Sequence, residues 1–220
     1  MMHQFTKDNR LALSFIGLTF LIGLIGALLL PPNTPLPVHW NFSGEIDMFA
    51  TTPGALFIMP GLGLLISGII GAAALIARTS ETRDQSKNAI KKILTPIMAL
   101  LLFLQVLLIS QAMGHSLFGL KTILMGVALM LLFVGNMLVN LPLNHVMGIR
   151  LPWTVNNDKN WQKTHTFARA VFTVTALILI ITIPLVPESI AIRFTLFACL
   201  LAGISPAIYS WRIHKTPLGK

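Results

Sequence analysis

Long apolar stretches separated by short polar segments dominate the chain. Six of them approach or exceed the roughly 20 residues that a helix needs to cross about 30 Å of hydrocarbon. They are Leu11–Leu30, Gly54–Ala77, Ile93–Met113, Thr122–Val139, Ala170–Val186 and Ile190–Tyr209. Because the fourth and fifth are short, we expect their helices to continue into the flanking polar sequence. The pattern predicts an all-α fold, a polytopic membrane bundle of six transmembrane helices with one membrane domain over residues 1–220.

The composition agrees with this prediction and excludes several classes of protein. Apolar residues make up 55% of the chain and charged residues only 10%, with a mean hydropathy of +0.78. Soluble domains carry about 25% charged residues, so a soluble enzyme, a disordered chain and a fibrous protein are all excluded. Only Arg193 is charged within the six stretches. Proton-coupled pumps commonly use carboxylates within the membrane. The six stretches contain no aspartate or glutamate, which disfavours active transport.

The first stretch also resembles a signal peptide, because Lys7 and Arg10 precede it. A small-residue cleavage site does not follow it; the sequence continues as PPNTP. We therefore expect a retained membrane anchor.

Lysine and arginine concentrate in alternate segments between the stretches. The N-terminal segment, residues 78–92, residues 140–169 and the C-terminal tail hold 14 of them, and the other three connections hold 2. By the positive-inside rule, both termini are expected in the cytoplasm. The net charge of +9 then reflects contact with the lipid bilayer and needs no direct nucleic-acid partner. Cys199 is the only cysteine, so an internal disulfide is excluded.

Polar and small residues inside the stretches predict contacts between helices. Small residues recur at four-residue spacing in the second stretch: Gly63, Ser67 and Gly71. Such a row favours close helix packing. Gln105 is expected to hydrogen-bond to a neighbouring helix, and Asn136 and Asn140 share one helix face. The same amides could instead line the path of a small-solute channel or facilitator.

Residues 31–53, the hairpin loop, are predicted on the outer side. Strands Val38–Phe42 and Glu45–Phe49 are predicted around a two-residue turn, Ser43-Gly44. The hairpin would gather one histidine, one amide and two acids beside a tryptophan: His39, Asn41, Glu45, Asp47 and Trp40. One reading is a metal or ligand site. We favour a compact lid with Trp40 at the membrane interface, because one histidine and two acids are an incomplete ligand set.

Residues 140–169, the signature loop, are predicted on the inner side. Asn156, Asn157 and Asp158 offer helix N-caps before a continuous run into the fifth stretch. On that helix four residues share a stripe that predicts packing against other helices: Trp161, His165, Ala168 and Phe172. Arg150 is expected to bond to helix-end carbonyls or a lipid phosphate. Structural anchoring is favoured over docking of a cytoplasmic partner.

At these two loops the sequence resembles the SdpI-type immunity proteins of bacteria. The hairpin loop carries an HWNxxGxxD motif similar to that of the membrane domain found N-terminal in this family: His39, Trp40, Asn41, Gly44 and Asp47. The signature loop carries a GIRLPWT…WxxTH motif that resembles the family's C-terminal signature: Asn144, Gly148, Arg150, Pro152, Trp153, Trp161 and His165. Both motifs occur in the expected order, so the resemblance covers essentially the whole chain.

The resemblance implies a multi-pass protein of the bacterial cytoplasmic membrane that protects a cell from a secreted antimicrobial peptide. It also implies signalling, because the best-known member holds a transcriptional repressor at the membrane when toxin is present. The expected partners are therefore a toxin peptide outside and a repressor inside, with no cofactor, no metal and no catalytic residue. Besides the channel, the alternative is an intramembrane enzyme. The best candidate for its catalytic residues is His165 with Thr164, near Arg150.

Overall fold

The structure, a computed structural model, describes residues 9–75, 80–115, 119–138, 141–144 and 147–215. The helices are α1 (Arg10–Leu29), α2 (Ile58–Leu75), α3 (Ser80–Ala112), α4 (Leu120–Met137), the short α5 (Pro152–Val155), α6 (Asp158–Leu185) and α7 (Glu188–Lys215). Strands β1 (Pro35–Trp40) and β2 (Ile46–Thr51) form an antiparallel hairpin, followed by a 3₁₀ helix over Gly54–Phe57.

Six helical segments in the described residues are long and apolar enough to cross a membrane, and they coincide with the six predicted stretches. The predicted helical membrane bundle is therefore confirmed. The expected continuation into polar sequence holds for the fifth helix, since α6 begins at Asp158. It is largely wrong for the fourth. Helix α4 gains only Leu120 and Lys121 and ends at Met137, where Leu138 forms a tighter turn onto Gly135.

The helices pack as two half-bundles. Helices α1, α2 and α3 form the first, and α4, α6 and α7 form the second; α3 and α4 join them. The first core includes Ala12, Leu94 and Met98. The second core includes Ala128 and Leu179. Each half therefore buries its own apolar faces, and the two loops lie at opposite ends of the bundle.

Some small residues, but not all, lie where two helices approach closely. The predicted ridge on α2 is confirmed at Gly63, where an added Cβ would lie 3.3 Å from Met98 Sδ. It is wrong at Gly71, which faces open space. Tighter contacts occur on α1, where a Cβ at Gly23 would meet the Leu56 carbonyl oxygen at 2.8 Å, and on α4, where a Cβ at Gly126 would lie 2.9 Å from the Phe103 ring.

Gln105 makes the predicted contact outside its own helix. Its side chain is fully buried on α3, and Nε2 donates to the Leu56 carbonyl oxygen of the 3₁₀ helix at 3.0 Å. Asn136 instead donates to Leu132 in its own helix and is exposed. Asn140, which was predicted to share a face with Asn136, lies outside the described residues.

Candidate functional sites at the two ends of the bundle

The hairpin loop folds as an antiparallel pair, as predicted, but its connection differs. Asn41–Glu45 form a five-residue connection, so the predicted two-residue turn at Ser43-Gly44 is wrong. Asn41 explains the difference, because its Oδ1 accepts the backbone N–H groups of Ser43 at 2.8 Å and Glu45 at 3.0 Å. The Asn41 N–H also donates to the Glu45 carbonyl at 2.9 Å. An asparagine that bonds its own following backbone is a common way to close a turn.

The polar side chains of the hairpin meet in pairs. His39 Nδ1 lies 2.6 Å from Asp47 Oδ1, and Asn41 Nδ2 donates to Glu45 Oε2 at 3.1 Å. Both members of the first pair are well exposed, at 60% and 43%. Within the part of the chain that the structure describes, no three histidine, cysteine or acidic side chains come close enough to hold a metal ion. The geometry therefore supports a ligand-facing or lid surface better than a metal centre.

The tip of the hairpin rests on the second half-bundle. Gly44 adopts φ +85°, and an added Cβ would lie 3.4 Å from the backbone of Glu188 and Ser189 at the start of α7. Arg193 Nε donates to the Phe42 carbonyl at 2.9 Å. Trp40 packs against the core of the second half-bundle.

The base of the same hairpin rests on the first half-bundle. Leu36 is completely buried and packs with Leu30, Leu56 and Leu108. Since Trp40 and the tip contact the second half-bundle, the hairpin bridges both halves at this end.

His165 organises the signature loop at the opposite end. Its Nδ1 lies 2.7 Å from the Trp161 carbonyl, which can only accept, and its Nε2 lies 2.9 Å from the Ile149 N–H, which can only donate. The ring is therefore neutral with its proton on Nδ1. Gly148 makes the approach possible: at φ +119°, an added Cβ would lie 2.7 Å from both His165 Nε2 and the Trp161 ring.

Trp161 fixes the loop from the other side. It is 1% exposed, and Nε1 donates to the Leu141 carbonyl at 2.7 Å. Its ring lies 4.1 Å from that of His165. Ala168 and Phe172 continue the same packed cluster, so the predicted stripe on α6 is confirmed as a packing face. Asn157 is the helix cap, and its side chain accepts the Asn160 N–H at 2.9 Å.

Asn144 and Arg150 hold the start of the loop together. Asn144 is buried and its Oδ1 accepts the Met147 N–H at 2.7 Å. Arg150 is exposed, and its guanidinium donates to the Asn144 carbonyl. Arg150 was expected to bond to a helix-end carbonyl or a lipid phosphate. It does bond to a carbonyl, but that of Asn144, which lies in the loop and not at the end of a helix.

The short helix α5 connects the loop to α7. Pro152 is exposed at its start, and Trp153 Nε1 donates to Ser210 Oγ at 2.6 Å. Asn160 Nδ2 donates to the Ser210 carbonyl at 3.1 Å, and Thr164 Oγ1 donates to Asn160 Oδ1 at 2.9 Å. Ser210 is therefore shared by α5 and α6.

The structure brings most of the predicted signature residues into one hydrogen-bonded unit. Sequence reasoning missed Ser210 and Asn160, which complete it, and gave no role to Thr154, the last residue of the GIRLPWT motif. The Thr154 hydroxyl accepts the Leu151 N–H at 2.8 Å and lies 2.7 Å from the Ile149 carbonyl. The sequence contained a signal for this role. Thr154 lies three residues after Leu151, which directly precedes a helix that begins with proline, and this spacing is that of a helix cap.

A shallow cleft opens beside this unit. Its volume is about 280 Å³, and its lining is Pro152, Trp153, Asn156, Asn157 and His214. Trp153 and His214 stack with ring centres 6.0 Å apart. The cleft is one of the surfaces that the signature loop exposes; the side chains of Arg150, Lys159 and Lys163 are exposed outside it.

Comparison with known proteins finds a family-model match at each of the two loops. The model of the SdpI/YfhL protein family matches residues 140–210, and the model of a domain of unknown function, DUF1648, matches residues 15–64. Immunity protein SdpI of Bacillus subtilis (strain 168) is 23% identical over 209 residues, which cover 95% of this chain and 97% of the relative. The predicted relationship to the SdpI-type family is confirmed. No solved structure matches the chain.

Each matched region contains one of the two loops and helical segments beside it. The DUF1648 match contains α1 from Phe15 onward, the hairpin and the start of α2. The SdpI/YfhL match runs from the signature loop to Ser210, the residue that closes the hydrogen-bonded unit. The SdpI-type signature is thus largely a set of residues that fold one loop against α6 and α7.

Proposed function

We propose that this SdpI-type membrane protein gives its host cell resistance to a secreted antimicrobial peptide. The observation that carries the proposal is the similarity to immunity protein SdpI over 95% of the chain, together with the family-model matches at both loops. The hairpin end would face outward and meet the peptide, and both termini would lie in the cytoplasm, since the Lys/Arg-rich segments alternate with nearly uncharged ones.

The signature end is the candidate site for signalling to a cytoplasmic repressor. It presents the cleft beside Trp153 together with exposed Lys159, Lys163 and Arg212. A peptide that binds the hairpin could change this surface only if it binds two arrangements of the bundle with different affinity. Because the hairpin contacts both half-bundles, a peptide bound to it could favour one arrangement of the two half-bundles over another.

The protein acts without catalysis in this proposal. Both ring nitrogens of His165 are engaged, by the Trp161 carbonyl and the Ile149 N–H. The Thr164 hydroxyl bonds to Asn160 and not to His165. The strongest enzymatic constellation in the sequence therefore has no free base. A channel gains no support either, because Gln105 and Asn136 are both held by nearby carbonyls.

Protection can be measured directly. The gene is expressed in a Bacillus subtilis strain that lacks its own immunity protein SdpI, and survival is scored against a panel of secreted antimicrobial peptides. We expect survival against at least one peptide that kills cells carrying the empty vector. Unchanged killing across the panel, with the protein present in the membrane, would contradict the proposal. Signalling is scored separately, by whether a fluorescently tagged regulator encoded beside the gene moves to the membrane when the peptide is added.

A further inference from the structure

The two edges of the hairpin sheet differ in their capacity to pair with another strand. The sheet in the described residues has two strands, so each has one edge without a strand partner. On β1 that edge is closed. Leu36 is fully buried against the first half-bundle, and two positions are prolines, Pro35 and Pro37, which carry no N–H. Prolines at an edge are one of the ways in which proteins prevent strand addition.

The prolines also define which groups of β2 face outward. Pro35 pairs with Thr51, and Pro37 pairs with Phe49. In an antiparallel pair, positions alternate between those that bond to the partner strand and those whose backbone groups point away from it. A proline cannot donate to the ladder, so these two pairs are of the second kind. Phe49 and Thr51 therefore direct their N–H and C=O groups to the free edge of β2.

Nothing in the described residues occupies that edge. Strand β2 is exposed along nearly its whole length, and no hydrogen bond to another element involves Phe49 or Thr51. Its sequence, IDMFAT, has neither proline nor lysine. Large apolar side chains stand exposed beside it, with Phe42 at 71%, Met48 at 58% and Phe49 at 55%. The register with β1 shifts near Met48 and Asp47 is charged, but Phe49 and Thr51 keep an exposed edge without proline or lysine. An exposed strand edge of this kind is the feature to which extended peptides add as an extra strand.

The charge of the hairpin indicates what kind of peptide fits. Residues 31–53 contain Glu45 and Asp47 and no lysine or arginine, in a chain whose net charge is +9. The two basic residues nearest the hairpin, Lys121 and Arg193, donate to the Pro184 and Phe42 carbonyls and do not reach β2 through any hydrogen bond. The surface beside the free edge is therefore acidic and apolar, which complements a cationic, amphipathic partner.

We propose that the free edge of β2 binds an extended, cationic and amphipathic peptide by adding it as a third strand of the hairpin sheet. This inference rests on the proposed immunity function, which supplies such a peptide, and it specifies how the peptide is recognised. Backbone groups of Phe49 and Thr51 pair with the peptide backbone. Its basic side chains face Glu45 and Asp47, and its apolar side chains pack on the exposed side chain of Met48.

The test is direct binding to the full chain in nanodiscs of zwitterionic phosphatidylcholine. The probes are a short fluorescent peptide of alternating Lys and Val, its Glu–Val counterpart, and the Lys–Val peptide methylated on alternate backbone nitrogens. We expect saturable binding of the first, and affinities about tenfold lower, equivalent to about 1.4 kcal/mol, for the other two. The comparison of the methylated and unmethylated peptides uses the unaltered protein, so it does not depend on how any variant folds.

A pair of variants at one position separates the backbone from the side chain. Phe49→Pro removes the outward N–H without removing a bond to β1, because Phe49 pairs with Pro37. Phe49→Ala removes the same aromatic ring and keeps the N–H. We expect Phe49→Pro to bind the Lys–Val peptide about tenfold more weakly than Phe49→Ala.

The inference would be overturned by no saturable binding, by equal binding of methylated and unmethylated peptide, or by equal binding to empty nanodiscs, which would identify a lipid interaction. Equal losses for the two Phe49 variants would overturn it as well. Cells that remain protected while binding is absent would refute strand addition and leave immunity standing. Binding without protection would refute immunity and leave the strand site standing.

Discussion

Replacing Gly148 with alanine tests whether the signature loop is held by close packing against α6. The substitution adds a single carbon, which would lie 2.7 Å from both His165 Nε2 and the Trp161 ring. Neither ring can easily retreat. Trp161 is 1% exposed and tied to the Leu141 carbonyl, and His165 is 1% exposed with both nitrogens engaged. The loop must therefore shift and lose the bond from Ile149.

The cost has two parts that the chain itself can separate. Gly148 adopts φ +119°, where an L-residue is strained by about 1–3 kcal/mol. Gly114 also has a positive φ, +82°, but an added Cβ there meets open space. The steric clash, which overpacking data place at about 1–3 kcal/mol, is thus confined to Gly148. Gly68 on α2 has neither problem and serves as the neutral control.

Thermal unfolding of the purified protein in detergent, followed by tryptophan fluorescence, measures the difference. For a chain of this size about 1 kcal/mol corresponds to about 2–4 °C in Tm, so Gly148→Ala should melt about 6 °C below Gly114→Ala. Gly68→Ala changes only helix propensity and should melt at, or a few degrees above, the temperature of the unaltered protein. If Gly148→Ala and Gly114→Ala melt together, the contact with Trp161 and His165 does not hold the loop, and the packing argument fails.

Three further experiments test the signature loop, the buried Gln105 and the orientation in the membrane. His165→Phe leaves a buried backbone N–H without an acceptor and should cost about 1–3 kcal/mol in the same melting assay, with His165→Gln recovering part of the loss; equal melting of both variants would count against the bond. Gln105→Glu places a carboxyl group in a fully buried site, where it must either lose its hydration as a carboxylate or take up a proton to donate to the Leu56 carbonyl, so at neutral pH it should cost at least about 2 kcal/mol. The less buried Gln111→Glu should be nearly neutral. In a cysteine-free background, Ser43→Cys should react with a membrane-impermeant maleimide on intact cells and Asn156→Cys only after permeabilisation; the reverse pattern would invert the predicted orientation.

The membrane helices and one packing face could be predicted from the sequence because both depend on local periodicity. Six apolar stretches gave six helices, and the spacing of Trp161, His165 and Ala168 gave a buried stripe. Small residues predicted less well. Gly63 and Gly71 carry the same local pattern, but only Gly63 meets α3, because a small residue permits a close approach without causing one.

The features that the sequence did not predict depend on partners that are distant in sequence, or on which backbone groups a single side chain bonds to. The two-residue turn failed because Asn41 caps a longer connection with its own side chain. Ser210 gave no local signal, since its partners Trp153 and Asn160 lie 57 and 50 residues earlier. The free edge of β2 likewise became visible only once the register showed which positions oppose Pro35 and Pro37.

The place of Ser210 in the chain has a consequence for biogenesis. A ribosome delivers the signature loop first, then α6, and Ser210 only near the far end of α7. Until that serine emerges, the indole N–H of Trp153 and the amide of Asn160 lack their acceptors. The nascent loop can close onto α6 through His165 and Trp161, but α5 is fixed only when α7 arrives. Any factor that must dock on the unfixed α5 has only this interval of translation in which to act.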